Sequence, residues 1–196
     1  DVSITAGVLV VTNSAGSPDR PLSSLTVTDG VLAFGVGEGS TNLHVVNFSD
    51  YSGNRTTIDI LFLPPIAGYP AQLPLIGYQA FAPGFNELAL GNLPAATQAY
   101  TGYISNNAAR SRIDLVITGG PAPVRALTWD GKVDGKWDTA TANWLHGGGS
   151  TAYNQGDFVT FNDSASGVTA VDLTMDLAPL TLTIDNSAKS YTLAGP

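Results

Sequence analysis

The stretch "VSITAGVLVVT" (residues 2–12) decides the class of fold to which this chain belongs. Apolar residues alternate in it with polar or small ones, and this period of two predicts a half-buried β-strand. The next stretch, "SLTVTDGVLAFGVG" (residues 24–37), repeats the alternation on both sides of Asp29-Gly30. An Asp-Gly pair between two alternating runs is a strong signal for a tight turn, so both stretches favour short strands joined by turns.

Further runs along the chain show the same alternation, with Gly, Asn, Asp, Ser or Pro between them. They are TNLHVVNF (41–48), TTIDILFL (56–63), RIDLVIT (112–118), DFVTF (157–161), VDLTMDL (171–177), PLTLTI (179–184) and SYTL (190–193). No segment carries a convincing helical period over three turns, so the sequence predicts an all-β chain. A parallel β-helix or β-solenoid with an irregular Pro-rich region (residues 63–94) fits this alternation, and so does the alternative, a β-sandwich with Greek-key or jelly-roll connections.

The composition excludes several classes of protein. Only 12% of the 196 residues are charged, against about 25% in typical soluble domains, and the formal net charge is −8. A nucleic-acid partner needs a basic face and is excluded, and an anionic membrane surface or an acidic polysaccharide is disfavoured for the same reason. The absence of cysteine excludes disulfides and zinc–thiolate sites. Because no apolar run reaches about 18 residues, no membrane insertion is expected.

A change in composition divides the chain into two parts. The run GPAPVR (120–125) is a poor strand and a good linker. We therefore predict a β-rich unit over residues 1–119, a Gly/Pro linker over 120–125 and the start of a second unit of β-strand repeats over 126–196. The chain begins at Asp1 without Met or a signal peptide, so we expect a processed protein or a segment of a longer one.

The last residues of the chain and the first residues follow one continuous alternating pattern. The closing run "SYTLAGP" (190–196) leads without a break in pattern into the opening "DVSITAGVLVV" (1–11). This pattern is typical of a tandem array of repeats in which the sequence starts at an arbitrary point of one repeat. It is also typical of a subunit whose two ends contact a neighbour. The predicted partner is therefore the chain itself, as a head-to-tail homopolymer or as tandem neighbours. The candidate contact residues are Val2, Ile4, Val8, Val10, Leu180, Leu182, Ile184 and Tyr191.

The second part carries several spaced motifs in a fixed order. They are Trp129-Asp130-Gly131, Gly135-Lys136-Trp137, Ala142-Asn143-Trp144, "GDFVTF" (156–161), "TAVDL" (169–173) and the closing run 180–195. This order resembles the autotransporter-associated β-strand repeat of bacterial surface and secreted proteins, over about residues 126–196. Residues 60–118 are more loosely similar to the run that closes a passenger β-helix. The resemblance implies a parallel β-helix at the bacterial cell surface, outside the cell, with a structural or adhesive role and no catalytic residues.

Two groups of residues in the stretch 128–144 are candidate ligand sites. Asp130, Asp134 and Asp138 could hold calcium, but their spacing of four does not match a known calcium loop, and Asp-Gly pairs ordinarily set a turn. The three tryptophans of the chain, Trp129, Trp137 and Trp144, could stack on a sugar and make the chain a carbohydrate-binding or adhesin module. The competing interpretation places these rings inside the core.

Enzymatic function is not predicted, and apart from the calcium possibility no cofactor is expected. His44 and His146 have no second ligand nearby in sequence, and the cluster of Arg110, Arg112 and Arg125 reads as charges that protect strand edges. A polysaccharide-processing enzyme on a β-helix stays an alternative that would need convergent acids and bases. The triplets that begin at Asn47, Asn54 and Asn162 match the N-glycosylation pattern.

The sequence as a whole predicts a non-enzymatic extracellular structural protein. It would be a subunit or a tandem repeat of a cell-surface fibre or stalk, and terminal β-strands would join it end to end. The carbohydrate-binding module and the enzyme are the two alternatives.

Overall fold

The structure is a computed structural model, and it describes residues 1–12, 21–28, 30–37, 41, 43–50, 56–81 and 88–195. Strands dominate these residues, which contain a single 3₁₀ turn (Ala108–Arg110) and no α-helix. The prediction of an all-β chain is therefore confirmed. Within the same residues, no helix has the length and apolar character that a membrane span requires. The chain divides into two compact units, Asp1–Pro123 and Val124–Pro196, at a point inside the predicted linker.

The first unit contains ten strands in the described residues. They are β1 (Val2–Ile4), β2 (Val8–Thr12), β3 (Leu22–Val27), β4 (Val31–Gly35), β5 (Leu43–Asp50), β6 (Thr57–Phe62), β7 (Ala71–Phe81), β8 (Ala89–Leu90), β9 (Thr101–Asn107) and β10 (Arg112–Gly119). One sheet has the order β1-β3-β5-β7-β10-β9, and the other has the order β2-β4-β6-β8. From β1 to β8 the chain thus alternates between the sheets, and each circuit of the chain places one strand in each of them.

Strands from successive circuits pair in parallel at regular steps. Val2 lies opposite Leu25 in one sheet and Val8 lies opposite Val31 in the other, so the first circuit takes 23 residues. The third circuit is longer, because Leu43 lies opposite Ile76. Parallel strands need such crossover connections, which explains why strands adjacent in the sheet are distant in sequence.

The core between these sheets is mainly aliphatic. Inward residues stack in columns through successive circuits, for example Leu9, Leu32, Ile58 and Leu90, which the strand registers place side by side. Leu32 and Ile58, in the middle of this column, are fully buried. Full burial of one such side chain contributes about 1.5–3 kcal/mol, so stacked columns are the main source of stability in this unit.

An antiparallel hairpin ends the larger sheet. Strand β10 pairs antiparallel with β7 on one side and with β9 on the other. Its alternate residues Ile113, Leu115 and Ile117 are fully buried and extend the same core. Pro74 of the Pro-rich region lies opposite Asp114, where the register of β10 shifts, and proline is tolerated at such an irregular position because it cannot donate to a ladder.

The second unit repeats the parallel arrangement with shorter strands. They are β11 (Ala126–Trp129), β12 (Lys136–Trp137), β13 (Trp144–His146), β14 (Gly149–Thr151), β15 (Phe158–Asn162), β16 (Ala170–Leu173), β17 (Thr181–Asp185) and β18 (Thr192–Ala194). One sheet has the order β14-β13-β11-β15-β17, and the other has the order β12-β16-β18. Strands β11, β15 and β17 are parallel, as are β12, β16 and β18, whereas β13 and β14 add an antiparallel hairpin.

Candidate functional site

The aromatic side chains of the motif stretch 128–144 meet in the core of the second unit. Trp129 and Trp144 are fully buried, and Trp137 is 2% exposed. Their ring centroids lie 5.0 Å apart for Trp129 and Trp144 and 5.1 Å apart for Trp137 and Trp144, with steeply inclined planes. Tyr153 and Phe161 complete the cluster. Such edge-to-face pairs stabilise a core beyond the area that they bury.

This burial corrects the sugar-stacking interpretation of the three tryptophans. A sugar-binding plate needs a ring face open to solvent, and none of the three rings is more than 2% exposed. Trp129 is held further by its indole N–H, which donates to the carbonyl of Val168 at 2.7 Å. Trp129, Trp137 and Trp144 therefore act as core residues.

The aspartates of the same stretch are turn residues, and their carboxylates do not converge. Oδ1 of Asp134 accepts the backbone N–H of Lys136 at 2.8 Å, and Oδ1 of Asp138 accepts those of Ala140 and Thr141 at 2.9 and 2.6 Å. The N–H of Lys136 is the main cause that lowers the pKa of Asp134. For Asp138, burial acts to raise the pKa, but the backbone N–H groups of Thr141 and Ala140, the Thr141 hydroxyl and the charge of Lys136 together lower it.

The third aspartate, Asp130, serves a different part of the fold. Its Oδ1 accepts the backbone N–H of Ser166 at 2.9 Å and the Ser166 hydroxyl at 2.5 Å, and this hydroxyl is the main cause that lowers the pKa of Asp130. Among the described residues, no group of three His, Asp or Glu side chains is arranged to hold a metal ion. The alternative of a calcium site at Asp130, Asp134 and Asp138 is thus corrected: the carboxylates of Asp134 and Asp138 bind backbone N–H groups just after them, and that of Asp130 binds Ser166.

Gly131 of the Asp130-Gly131 pair has the positive φ that its sequence predicts. Gly131 has φ +63°, a conformation that favours glycine, and a Cβ atom there would lie 2.2 Å from the carbonyl oxygen of Val168. Gly135 is needed for another reason, since a Cβ at that position would lie 2.5 Å from the carbonyl oxygen of Ala170. In both places the next circuit of the chain packs directly on the glycine.

Asn143 is the polar centre of this turn region, and sequence reasoning did not identify it. The side chain is fully buried, and its oxygen accepts the backbone N–H groups of Val133 and Asp134 at 3.0 and 3.1 Å. Its amide donates to Asp134 Oδ1 at 2.7 Å and to the carbonyl of Lys136 at 2.8 Å. The amide thus uses both of its N–H donors and both acceptor positions of its oxygen, so Asn143 fixes the loop that precedes β12.

Arg125 and Asp157 form an ion pair. This pairing corrects the interpretation of Arg125 as a charge that protects a strand edge. The guanidinium lies 2.6 Å from Asp157, whose side chain is 1% exposed, and it also donates to Thr151 and to the carbonyl of Ala152. Asp157 in turn accepts the backbone N–H groups of Arg125 and Asn154. Arg125 therefore anchors the start of the second unit and is not a free charge on a strand edge.

The candidate association residues fall into two groups. Val8, Val10, Leu180, Leu182 and Ile184 are 47–61% exposed, as an association surface requires. The other three are held in their own units: Ile4 is 9% exposed, Val2 is half-buried, and the Tyr191 hydroxyl donates to the carbonyl of Asn162 at 2.5 Å. For Ile4 and Tyr191 the prediction of a free joining surface is corrected, because both side chains pack into a core.

The exposed residues of β17 continue a buried column. Leu127, Val159 and Leu182 are in register on β11, β15 and β17. The first two are 1% exposed and the third is 48% exposed. Phe161 and Ile184 repeat this relation, with exposures of 0% and 56%. The inward face of β17 therefore has the side chains of a core but no circuit beneath it.

The open edges of the larger sheets are arranged asymmetrically. In the first unit the parallel ladder is open at β1, and its other end carries the β10–β9 hairpin. In the second unit it is open at β17, and its other end carries the β13–β14 hairpin. Among the described strands, each larger sheet thus leaves a parallel edge unpaired at its strand nearest an end of the sequence.

The remaining candidates are the three glycosylation asparagines, the first predicted turn and His146. Asn47 is exposed on β5 and donates to the carbonyl of Ser23, whereas the Asn162 oxygen accepts the N–H and the hydroxyl of Ser164. Asn54 and the Asp29 half of the first predicted turn lie outside the described residues. His146 Nδ1 lies 3.0 Å from the carbonyl oxygen of Ala126. Glycosylation stays a prediction at all three asparagines.

The association surface at the terminal strands is therefore the candidate functional site that the geometry supports. It consists of the open edges of β1 and β2 in the first unit and of β17 and β18 in the second, with the exposed apolar side chains that they carry. Comparison of the chain with protein-family models, with curated proteins and with solved structures finds no match.

Proposed function

We propose that the chain is a non-enzymatic structural module of a parallel β-helix, and that it forms part of an extracellular fibre or stalk on a bacterial cell surface. Modules join end to end through their terminal strands. The cell-surface location rests on the motif order in residues 126–196, which resembles the autotransporter-associated repeat. The end-to-end joining rests on the geometry of the terminal strands.

The strand order supports the β-helix part of the proposal. Odd-numbered and even-numbered strands of β1–β8 enter separate parallel sheets, and inward residues stack in register from one circuit to the next. A circuit of this kind covers its inward face only against its neighbours, which is the physical basis of a solenoid. A β-sandwich with Greek-key connections would instead be built from antiparallel neighbours.

One observation supports the proposal that modules join end to end. The inward residues of β17 are exposed, although the residues in register with them on β15 are buried. Leu182 and Ile184 are 48% and 56% exposed although Val159 and Phe161, in register above them, are buried. Core side chains left half in water, beside an unpaired row of backbone N–H and C=O groups, are a template for another strand. Adding a strand would satisfy both the backbone groups and the apolar side chains.

The occupant that fits this edge is another circuit of the same kind, and β1 and β2 of a neighbouring module provide one. No described strand pairs with the outer edge of β1 or β2, and Val8 and Val10 are exposed beside that edge. The contact would join two different surfaces and would not close on itself, which gives a filament rather than a dimer. In the native assembly the neighbour is a second copy or a tandem unit of a longer chain.

Electron microscopy and sedimentation velocity over a range of protein concentrations test this proposal. We expect filaments whose length increases with concentration. The double variant Leu182→Asp, Ile184→Asp places two charges on the contact and should leave only monomers. Both positions are exposed, so the tryptophan fluorescence of the second unit should stay native.

A matched control separates the contact from a general effect of charge. Val133 and Met175 belong to the same unit, are 63% and 40% exposed and lie outside the terminal strands. The double variant Val133→Asp, Met175→Asp adds the same charge and should form filaments like the unmodified chain. Monomers of the unmodified chain at every concentration, or equal loss of filaments in both double variants, would contradict the proposal.

A further inference from the structure

An open groove of about 410 Å³ lies in the first unit, beside strands β5 and β7 and the turn between β9 and β10. Its volume falls in the range of small-molecule sites. Neither the resemblance nor the proposed structural role gives this groove a purpose. The following inference does not depend on that role.

The registers of three strands build the floor of the groove. Gly77 of β7 is the partner of His44 on β5 and also of Arg112 on β10, so these three residues form one row across the sheet. A Cβ atom on Gly77 would lie 3.2 Å from Nδ1 of His44, which shows that the imidazole covers the bare glycine. Partner residues in a sheet project to the same face, so His44 and Arg112 flank a notch at Gly77.

The turn before β10 adds a second guanidinium. Ser111 has φ +49° and ψ +52°, which is the left-handed conformation and is uncommon outside glycine. Its carbonyl accepts the backbone N–H of Tyr78 at 2.9 Å, which ties the turn to β7. This conformation holds Arg110 and Arg112 on either side of Ser111, where both line the groove.

The groove is basic in a chain whose net charge is −8. Three of the ten Lys, Arg and His side chains of the whole sequence line it, and among the described residues no Asp or Glu does. Arg112 also pairs with the buried Asp114 at 2.6 Å. Arg110 is exposed, and no carboxylate among the described residues pairs with it. The unbalanced positive charge of the groove is therefore that of Arg110.

We propose that this groove binds the carboxylate of a single acidic sugar, a uronate, with Arg110 as the principal charged contact. Arginine presents a planar fork of donors that matches the two oxygens of a carboxylate. Pro21 supplies an apolar part of the wall, and Gln79 supplies an amide suited to sugar hydroxyls. The negative charge of the rest of the chain repels a long polyanion, which limits the ligand to one acidic unit, free or at the end of a glycan.

Calorimetric titration with sodium glucuronate at low ionic strength tests the proposal, with glucose and sodium sulfate as reference probes. We expect saturable binding of glucuronate, weaker binding of sulfate and no binding of glucose. Arg110→Gln should weaken glucuronate binding about tenfold or more, the effect of one lost charge-assisted hydrogen bond. Because Arg110 is exposed, the far-ultraviolet circular dichroism of this variant should equal that of the unmodified chain.

A charge-matched control comes from the second unit. Lys132 is exposed and does not line the groove, so Lys132→Gln changes the net charge equally and should leave the affinity for glucuronate unchanged. Raising the salt concentration should weaken binding in the unmodified chain, since the contact is electrostatic and exposed. The proposal is overturned by the absence of saturable glucuronate binding, by equal loss in both variants, or by sulfate binding as tightly as glucuronate.

Discussion

The two units of the chain build similar parallel ladders by different means. In the first, strands reach 8 residues in β5 and β10 and 11 residues in β7, and the buried side chains are mostly Leu, Ile and Val. In the second, no strand exceeds 5 residues, and the core is a cluster of three tryptophans with Tyr153 and Phe161. The second unit compensates for its short ladders with large aromatic side chains.

Side chains also hold the turns of the second unit. In the second unit, side chains such as Asn143, Asp138 and Asp163 each accept two or more backbone N–H groups. A strand of two or three residues has few ladder hydrogen bonds, so its position depends on such caps. Hydrogen bonds from turn side chains and an aromatic core therefore hold the short strands of the second unit in place.

We expect the largest effect on stability from a substitution at Trp144. Its ring contacts four other aromatic rings. Trp144→Ala should destabilise the second unit by about 3–5 kcal/mol, because a fully buried ring is replaced by a cavity. Urea unfolding followed by tryptophan fluorescence reports on the second unit alone, since all three tryptophans belong to it.

Ile76→Ala provides the matched core variant in the first unit, where Ile76 is fully buried. We expect it to change the transition seen by far-ultraviolet circular dichroism and to leave the fluorescence transition in place. If Ile76→Ala moves the fluorescence midpoint as far as Trp144→Ala does, the separation into two independently stabilised units is wrong.

Removal of the Asn143 clamp should have the next largest effect. Asn143→Ala removes a fully buried side chain and leaves the backbone N–H groups of Val133 and Asp134 without their acceptor, and we expect a loss of about 1–3 kcal/mol in the free energy of unfolding. Thr97→Ala in an exposed, irregular part of the first unit is a control that should change stability by less than about 0.5 kcal/mol. A loss at Asn143 no larger than in the control would show that turn clamps do not compensate for short strands.

The clamped carboxylates also predict how stability depends on pH. Backbone N–H groups of Ser187, Lys189 and Ala188 hold the pKa of Asp163 far below its usual value, and hydrogen bonds lower the pKa of Asp130. A carboxylate whose pKa is lowered in the folded state contributes stability above its unfolded pKa, near 3.9, and loses that contribution as pH falls further. We expect the fluorescence midpoint in urea to decrease progressively below about pH 5.

A matched variant tests the origin of this acid sensitivity. Asp163→Asn removes one titrating group, so its midpoint should be lower at pH 7 and should vary less between pH 5 and pH 3. An unchanged pH dependence in Asp163→Asn would show that this cap is not a source of acid sensitivity.

The smallest effect on stability is expected at the open edge. Leu182→Ser changes a side chain that is 48% exposed on β17, so thermal unfolding should shift by less than the equivalent of about 0.5 kcal/mol. Val159→Ser, in register on β15 but 1% exposed, should be strongly destabilising. Similar costs at both positions would show that β17 is already covered in the chain alone, against the proposed joining of modules.

Several features of the fold followed from local sequence. Alternation located most of the strands, and the Asp130-Gly131 pair marked a position of positive φ because glycine adopts this conformation without strain. The groove could not be found in this way. His44, Gly77 and Arg112 are far apart in sequence, and the strand registers alone bring them into one row.

The sequence by itself determined the all-β class and the alternation of inward and outward faces, because a period of two is a local property of the chain. It left open which strands pair, and therefore whether the three tryptophans face a core or the solvent. The tertiary structure decided these points, since parallel pairing over steps of 23 residues or more depends on how whole circuits stack. That stacking buries Trp129, Trp137 and Trp144 and leaves Leu182 and Ile184 exposed.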